Sequence, residues 1–334
     1  MKLFCCRKSS TAPTGLIFAD RFYCDTSKRV GSGSFGSVFS GEIIDTREPI
    51  AIKIEKKRKG RKSLLAWEAS VYEAVGARLV PKNEPPDFLW YGDQHGYRAL
   101  VMRLLGPSIE DVFQLVNEFV ASNHRRFSTT TCCVIGVLML QIIEGLHDEG
   151  YVHRDIKPAN FLMGLDSSKN ELKVIDFGLV TSFLDSSRRH IAFDQSNTVS
   201  LIGTPRFASL NSHNGCTLSR RDDLESIAYT LLYLLKGTLP WWEVETTSVS
   251  GTKEEALEMI KRKKAQPTAL WCRNLPVEFV DFLNYSRNLK FEERPSYSHW
   301  IAVFTSLCSS CSGSTVDDIT TVKCDWHNIA YASL

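Results

Sequence analysis

The polar–apolar pattern changes period once along the chain. Ile50, Ile52 and Ile54 alternate with Ala51, Lys53 and Glu55, the period of a half-buried strand. Leu100, Val101 and Met102 predict a second strand, and Gly106-Pro107 then breaks the pattern. Beyond that break the apolar positions recur at helical spacing. Val134, Leu138, Ile142 and Ile143 predict a helix reaching about His147. Leu224, Ile227, Ala228, Leu231, Leu232 and Leu235 predict another, deep in its domain, capped by Asp222 or Asp223, stopped at Gly237 and followed by Pro240. In the first half, Leu64, Glu68, Val71 and Val75 share one helical stripe facing inward. The pattern implies an α+β chain. It has a tail over residues 1–17, a domain over 18–307 and a polar tail over 308–334 that Trp326 docks. Within the domain, a strand-rich part (18–102) passes through a connection (103–107) to a helical part (108–307).

Composition narrows this reading. The chain has 334 residues, 43% of them hydrophobic and 23% charged, enough apolar material for a large core. Its net charge of +2 carries no bias toward nucleic acid as a partner. The most apolar run, Val134 to Leu140, stops at Gln141, short of the roughly 18 residues of a membrane span. Arg7 and Lys8 interrupt the start too early for a secretory signal. A cytoplasmic, monomeric protein is expected, its ten cysteines free thiols. Cys5 and Cys6 beside Arg7 and Lys8 read first as a loose tail, and second as an acylated anchor giving weak membrane association. Lys2 stands where myristoylation needs glycine. Cys308 and Cys311 form a lone CxxC, poor grounds for zinc and better read as a helix end with two free thiols. Lys56 to Lys62 holds six cations in seven residues and reads as a solvated loop, with a nuclear address or a grip on acidic substrates as secondary readings.

Candidate chemistry is concentrated in a few motifs. Gly31-Ser32-Gly33-Ser34-Phe35-Gly36-Ser37-Val38 fits GxGxxGxV, a turn whose backbone N–H groups can approach phosphate oxygens. A dinucleotide-binding loop is disfavoured because Val38-Phe39 continues as strand. Lys53 lies seventeen residues past Gly36, with Ala51 on the same face of the strand. Glu68 on an apolar stripe needs a partner, and Lys53 is the obvious one. His153 to Asn160 reads HRDIKPAN, and Asp176-Phe177-Gly178 follows. Asp155 is expected as the base for a substrate hydroxyl, and Lys157 as the cation on the transferring phosphoryl group. Asn160 and Asp176 offer hard oxygen ligands for Mg2+. His153 and Phe177 are expected to pack as core. Thr204 should hydrogen-bond near Asp155 and Lys157, favouring a Ser/Thr acceptor. Asp223 could tie down the backbone of the loop carrying Asp155.

With these motifs the chain resembles the eukaryotic protein kinases, and within them the casein kinase 1 family, over about residues 18–305. The carrying segments are LLGPSIEDVF (104–113), HRDIKPANFLMG (153–164), GTPRFASLN (203–211), SRRDDLES (219–226) and GTLPWW (237–242). Most protein kinases have Ala-Pro-Glu after the activation segment; here Ala208-Ser209-Leu210-Asn211 stands there, similar to the Ser-Ile-Asn of casein kinase 1 proteins. The resemblance implies the bilobal kinase fold, with a small antiparallel sheet and one main helix ahead of a mostly helical lobe. It also implies ATP and Mg2+ as cofactors. Adenine would contact the hinge near Leu105, with Met102 guarding the pocket and Val38, Ala51 and Leu162 sandwiching the base. Substrates would be proteins with acidic or phosphorylated residues near the target Ser or Thr.

Three departures from the family stand out. Arg103 follows Met102 where an acidic residue is typical, and Ala159 precedes Asn160 where an Asp is frequent. The family's anion site is matched by Arg206, near Gly237. Its two flanking lysines align near Val199 and Glu245, so recognition of phosphate-primed substrates is expected to be weakened, unless Arg188 or Arg220 substitutes. The rival reading is a catalytically weak or dead protein of the same fold that binds partners. Against it, Lys53, Asp155, Asn160 and Asp176 are all present.

Overall fold

The computed structural model describes residues 15–33, 36–57, 63–79, 87–119, 126–164, 170–194, 200–246 and 252–328. Cys5, Cys6, Ser34, Phe35, Val199 and the basic residues 58–62 lie outside them, as do the side chains of Ser32 and Glu245. The chain divides into two compact units, Met1–Leu104 and Leu105–Leu334.

The first unit is a six-stranded antiparallel sheet with one helix. Its elements are β1 (Gly15–Phe18), β2 (Phe22–Gly33), β3 (Gly36–Ile43), β4 (Pro49–Lys56), α1 (Leu64–Leu79), β5 (Phe88–Gln94) and β6 (Tyr97–Arg103). The strand order is β1-β2-β3-β4-β6-β5. The isoleucine alternation places β4 between β3 and β6, where Ile50 and Ile52 are fully buried among Phe18, Phe22, Ile43 and Val101. The sheet begins earlier than expected: Gly15 already pairs with Asp25, and Phe18 is fully buried. On α1 the inward stripe is Leu65, Glu68, Val71, Tyr72 and Val75, while Leu64 is 39% exposed. Leu64 is the first residue of the helix. The inward arc begins one position later and takes up Leu65 instead.

The second unit opens with α2 (Ile109–Phe119) and α3 (Thr129–Asp148). Short strands β7 (Tyr151–Val152), β8 (Phe161–Met163), β9 (Leu172–Val174) and β10 (Thr181–Ser182) follow. The remainder is helical: α4 (Leu210–His213), α5 (Arg220–Lys236), α6 (Trp242–Thr246), α7 (Lys253–Ala265), α8 (Thr268–Trp271), α9 (Val277–Asn288) and α10 (Tyr297–Ser312). By length and composition α3 could cross a membrane, because the apolar stretch continues past Gln141. Yet 67% of that stretch is buried inside the unit, as a core helix requires. Leu224, Ile227, Leu231 and Leu232 of α5 are fully buried.

Two boundaries differ from the sequence reading. Ser219, not Asp222 or Asp223, is the N-cap of α5, and the Asp222 carboxylate accepts the Ser219 N–H at 2.7 Å. Helix α10 runs on to Ser312 before Gly313 ends it in a left-handed turn, so Cys308 is helical and fully buried rather than the start of an irregular tail. Phe304, one turn earlier, is also fully buried, and this apolar face extends the helix through a polar-looking sequence. The terminal segment docks as expected through Trp326, which is 3% exposed and edge-on to Phe127. Asp325 adds polar attachment: its carboxylate accepts the Ser128 N–H at 2.6 Å, and its own N–H donates to Thr131 Oγ1. The Asn170 side chain donates to the Val322 carbonyl at 2.7 Å.

Trp326→Ala should therefore destabilise the second unit by about 3 kcal/mol, at the low end for truncating a buried tryptophan. Urea unfolding followed by far-UV circular dichroism reads this directly. A shift indistinguishable from zero would mean the segment is an appendage rather than part of the core.

Candidate active site

In the first unit, the site residues follow from the register of β3 on β4. Val38 lies opposite Lys53, and Ala51 opposite Met102 across to β6. Gly36 is required by proximity, since a Cβ there would lie 2.6 Å from the Ile54 carbonyl oxygen. Gly31 pairs with Val38 in the same hairpin. Lys53 and Glu68 meet: Nζ lies 2.8 and 3.0 Å from the two carboxylate oxygens, with the residues 4% and 1% exposed. Removing one member of so buried a pair leaves an uncompensated charge. Arg103 is held in the same unit by Glu48 Oε1 at 2.6 Å.

The second unit builds its site on buried carboxylates at the start of α5. Asp223, 1% exposed, accepts the backbone N–H groups of His153 (2.6 Å) and Arg154 (2.8 Å). It also bonds His147 Nε2 at 2.8 Å. Burial pushes the Asp223 carboxyl up, but these hydrogen bonds outweigh it and hold the pKa below the usual carboxylate range. Burial pushes His147 down, which keeps it neutral; its other nitrogen meets the Tyr297 hydroxyl. Arg154 takes a left-handed backbone, φ +68°, and its side chain donates to the Leu179 carbonyl at 2.7 Å. His153 and Phe177 are both fully buried and pack edge-on.

Asp155 is fixed from three sides. Its Oδ1 accepts the Thr204 N–H (2.8 Å) and hydroxyl (2.7 Å). Its Oδ2 accepts Lys157 Nζ at 2.7 Å, and Lys157 also reaches Thr204 Oγ1 at 3.1 Å. Burial raises the Asp155 pKa, but the charge of Lys157 and the hydrogen bonds from Lys157 and Thr204 prevail and lower it. The group is therefore ionised at neutral pH. Gly203 makes this contact possible: its φ is +85°, and a Cβ would lie 2.4 Å from the Arg154 carbonyl oxygen. Asn160 donates to the Asp155 carbonyl at 2.8 Å, which leaves its amide oxygen as the group able to meet a cation. Pairing of Phe161 with Val174, and the Ile175 N–H bond to the Asn160 carbonyl, bring Asp176 beside it. One amide oxygen and one carboxylate suit Mg2+, which retains waters and phosphates as further ligands.

Other expected residues sit as follows. Leu162 is in β8, and bonds from Gly106 and to Pro107 tie that strand to the stretch after Leu105. The Arg206 guanidinium lies 3.4 Å over the Trp242 ring, and its carbonyl accepts Trp241 Nε1. Gly237 closes α5 with φ +78°, its N–H committed to the Tyr233 carbonyl at 2.7 Å. That N–H therefore serves the helix end, and an anion would be met by Arg206 rather than by Gly237. Arg220 is engaged by the Glu292 carbonyl and lies over the Phe183 ring, so it is held away from a substituting role; Arg188 is exposed.

The sequence reading missed the carboxylates that hold residues 209–211. Asp222 accepts Ser209 Oγ at 2.7 Å and Asn211 Nδ2 at 2.9 Å. Glu225 accepts the Leu210 N–H (3.3 Å), the Tyr229 hydroxyl (2.6 Å) and Arg287 Nε (3.2 Å). These contacts explain why Ser and Asn stand in this segment. The available signal was the cluster of acids in SRRDDLES. A family model described as a protein kinase domain matches residues 24–303. The bilobal α+β fold expected for that family is the one observed.

Asp222 generates a pH test. It is fully buried, and burial outweighs its hydrogen bonds, pushing the pKa from 3.8 up to about 6. A raised carboxyl favours the protonated native state, so stability falls as pH rises from about 4 to 6, by roughly 3 kcal/mol at ~1.4 kcal/mol per pH unit. Asp155 and Asp223, both lowered, act in the opposite sense below this window, losing stability as pH falls. Asp222→Asn should flatten the pH dependence of urea unfolding between pH 4 and 6. An unaltered slope would show that Asp222 does not titrate there.

Proposed function

The chain belongs to the protein kinase family, and we propose that it is an active serine/threonine kinase of the casein kinase 1 type. The reaction moves the γ-phosphoryl group of ATP to a Ser or Thr hydroxyl of a protein. The carrying observation is the Asp155–Thr204–Lys157 cluster in the second unit. Phosphoryl transfer needs little covalent help; it needs an oriented hydroxyl and cations where charge is spread.

Each unit carries part of that requirement. Asp155, ionised and fixed by Thr204, orients the incoming hydroxyl and takes its proton as the O–P bond forms and the bond to ADP breaks. Lys157 offsets charge on the group in transit. Lys53, held extended by Glu68, positions phosphate oxygens of ATP. Asn160 and Asp176 would hold Mg2+, which when bound neutralises the phosphate oxygens. Thr204 beside Asp155 supports a short aliphatic hydroxyl as acceptor over a tyrosine ring. Arg103 and the altered anion site motivate the dead-kinase alternative, but the Arg103 charge is answered by Glu48 in the same unit, and every group named here is retained. The preferred substrates are acidic proteins. Contribution from a phosphorylated residue is reduced, because neither aligned position, Val199 or Glu245, is a lysine. The protein is proposed to act as a cytoplasmic monomer.

Incubation with labelled ATP, Mg2+ and casein should give transfer that Asp155→Asn reduces by about 10²–10⁴-fold, the usual contribution of a positioned base. Transfer no greater than that of the variant would defeat the reading. An acidic peptide and its phosphoserine-bearing counterpart should have similar kcat/KM values. A strong preference for the phosphorylated peptide that disappears in Arg206→Ala would show that the anion site is intact.

A further inference from the structure

We propose that Lys264, on α7, is a positioning residue for the protein substrate: it fixes the backbone of residues 205–208 and through it the placement of Thr204 and Arg206. The inference rests on the kinase reading above and adds to it a residue remote from the reacting atoms.

Sequence alone makes Lys264 look like one of four consecutive surface cations, Lys261 to Lys264. The structure separates it from the others, for Lys264 is fully buried. A buried ammonium requires acceptors, and it has them. Nζ donates to the Pro205 carbonyl at 2.8 Å and to the Ala208 carbonyl at 2.5 Å, and meets His213 Nε2 at 3.3 Å. The Tyr229 and Trp241 rings lie 4.6 and 5.1 Å from it. Burial and the Lys264 charge push His213 down to about 3, so this imidazole stays neutral and can face an ammonium.

The segment it serves has no ladder of its own. Thr204 to Ala208 makes only a local turn, with the Phe207 and Ala208 N–H groups both on the Thr204 carbonyl. The carbonyls that follow are satisfied by side chains: Pro205 by Lys264 and His213, Ala208 by Lys264, Arg206 by Trp241. Ser212 holds the other end through Ile202, donating to its carbonyl at 2.8 Å and accepting its N–H at 3.2 Å. Of these supports only Lys264 grips two carbonyls at once, on either side of Arg206. Its loss leaves the buried Ala208 carbonyl unpaired and the Pro205 carbonyl with His213 Nε2 alone, at 3.2 Å, and lets the turn move. Thr204 and Arg206 would move with it, the first against Asp155 and the second against the incoming chain.

The test compares Lys264→Met, which keeps the stem against Tyr229 and Trp241 but removes the donors, with Lys263→Met. Lys263 is the neighbouring lysine, and its Nζ bonds the Pro240 carbonyl. Steady-state kinetics should show Lys264→Met lowering kcat/KM for an acidic peptide by about 10–100-fold, the effect of misplacing a reactant by an ångström. The loss should fall mainly on the peptide KM, with the KM for ATP unchanged. Lys264→Gln, whose amide still offers two N–H donors, should recover part of the loss. If Lys264→Met does not fold, the Gln variant is read alone and should show a smaller rise in peptide KM. An unchanged peptide KM in the variant that folds overturns the inference, as does an equal rise in the KM for ATP or an equal loss in Lys263→Met. Absence of transfer by the unaltered protein defeats the kinase reading itself; transfer unaffected by position 264 defeats only this inference.

Discussion

The site in the second unit depends on carboxylates kept ionised out of water at the start of one helix. Asp223 is the central case. A buried carboxylate is costly unless its lone pairs are occupied. Here they are occupied by the N–H groups of His153 and Arg154 and by His147. Those bonds fix the backbone at the residue preceding Asp155 and hold Arg154 in a left-handed conformation that a loop would otherwise abandon. The direction of the Asp155 side chain follows from this. Orientation of the proposed base is therefore set one layer beneath it, by a helix whose N-terminal dipole also favours negative charge.

The same helix turn does two further jobs. Asp222 grips Ser209 and Asn211, and Glu225 grips Leu210 and Arg287. All three acids are almost fully buried: Asp223 holds residues 153–154, while Asp222 and Glu225 share residues 209–211. Segments 153–155 and 209–211 are thus referenced to a common rigid element. This accounts for Ser209-Leu210-Asn211 without any appeal to the usual Ala-Pro-Glu. Hydroxyl and amide donors facing a carboxylate do the anchoring, and the arginine of α9 is answered from α5 instead of from the segment itself. The arrangement has a weakness, because Asp222 is held by neutral donors and its carboxyl is pushed up to about 6.

Legibility in the sequence divided along physical lines. Features set by local spacing or carried by a motif could be read: the alternating isoleucines of β4, the apolar face of α5, the pairing of Lys53 with Glu68, and Thr204 beside Asp155. Features set by distant partners outside those motifs could not. Asp223 does tie down the loop carrying Asp155, as the sequence suggests, but neither it nor Asp222 is the cap: Ser219 caps, and Asp222 faces Ser209 and Asn211. Leu64 and Leu65 differ in burial through one residue of helical phase, which periodicity cannot resolve at a helix end. Cys308 lies in a stretch rich in serine, and its burial comes from packing in the helical unit, not from its neighbours in sequence. Lys264 was invisible for the same reason, being the last of a run of cations, Lys261, Arg262 and Lys263, none of which is buried.

The stacking of Arg206 bears on how an anion could still be met without the aligned lysines. Trp242 packs against both Arg206 and Tyr233, and the Trp242 and Tyr233 rings are nearly parallel with centroids 5.2 Å apart. A guanidinium offers its face to an aromatic ring and its edge to an oxyanion. The two uses are therefore compatible, and a stacked guanidinium loses less freedom when it binds. A single oriented arginine with a fixed backbone can recognise one carboxylate edge-on. It cannot match the charge of a phosphate dianion as three cations would, since each added cation contributes mainly through Coulomb attraction. The proposed preference for acidic over phosphorylated side chains therefore rests on what surrounds Arg206 rather than on its presence.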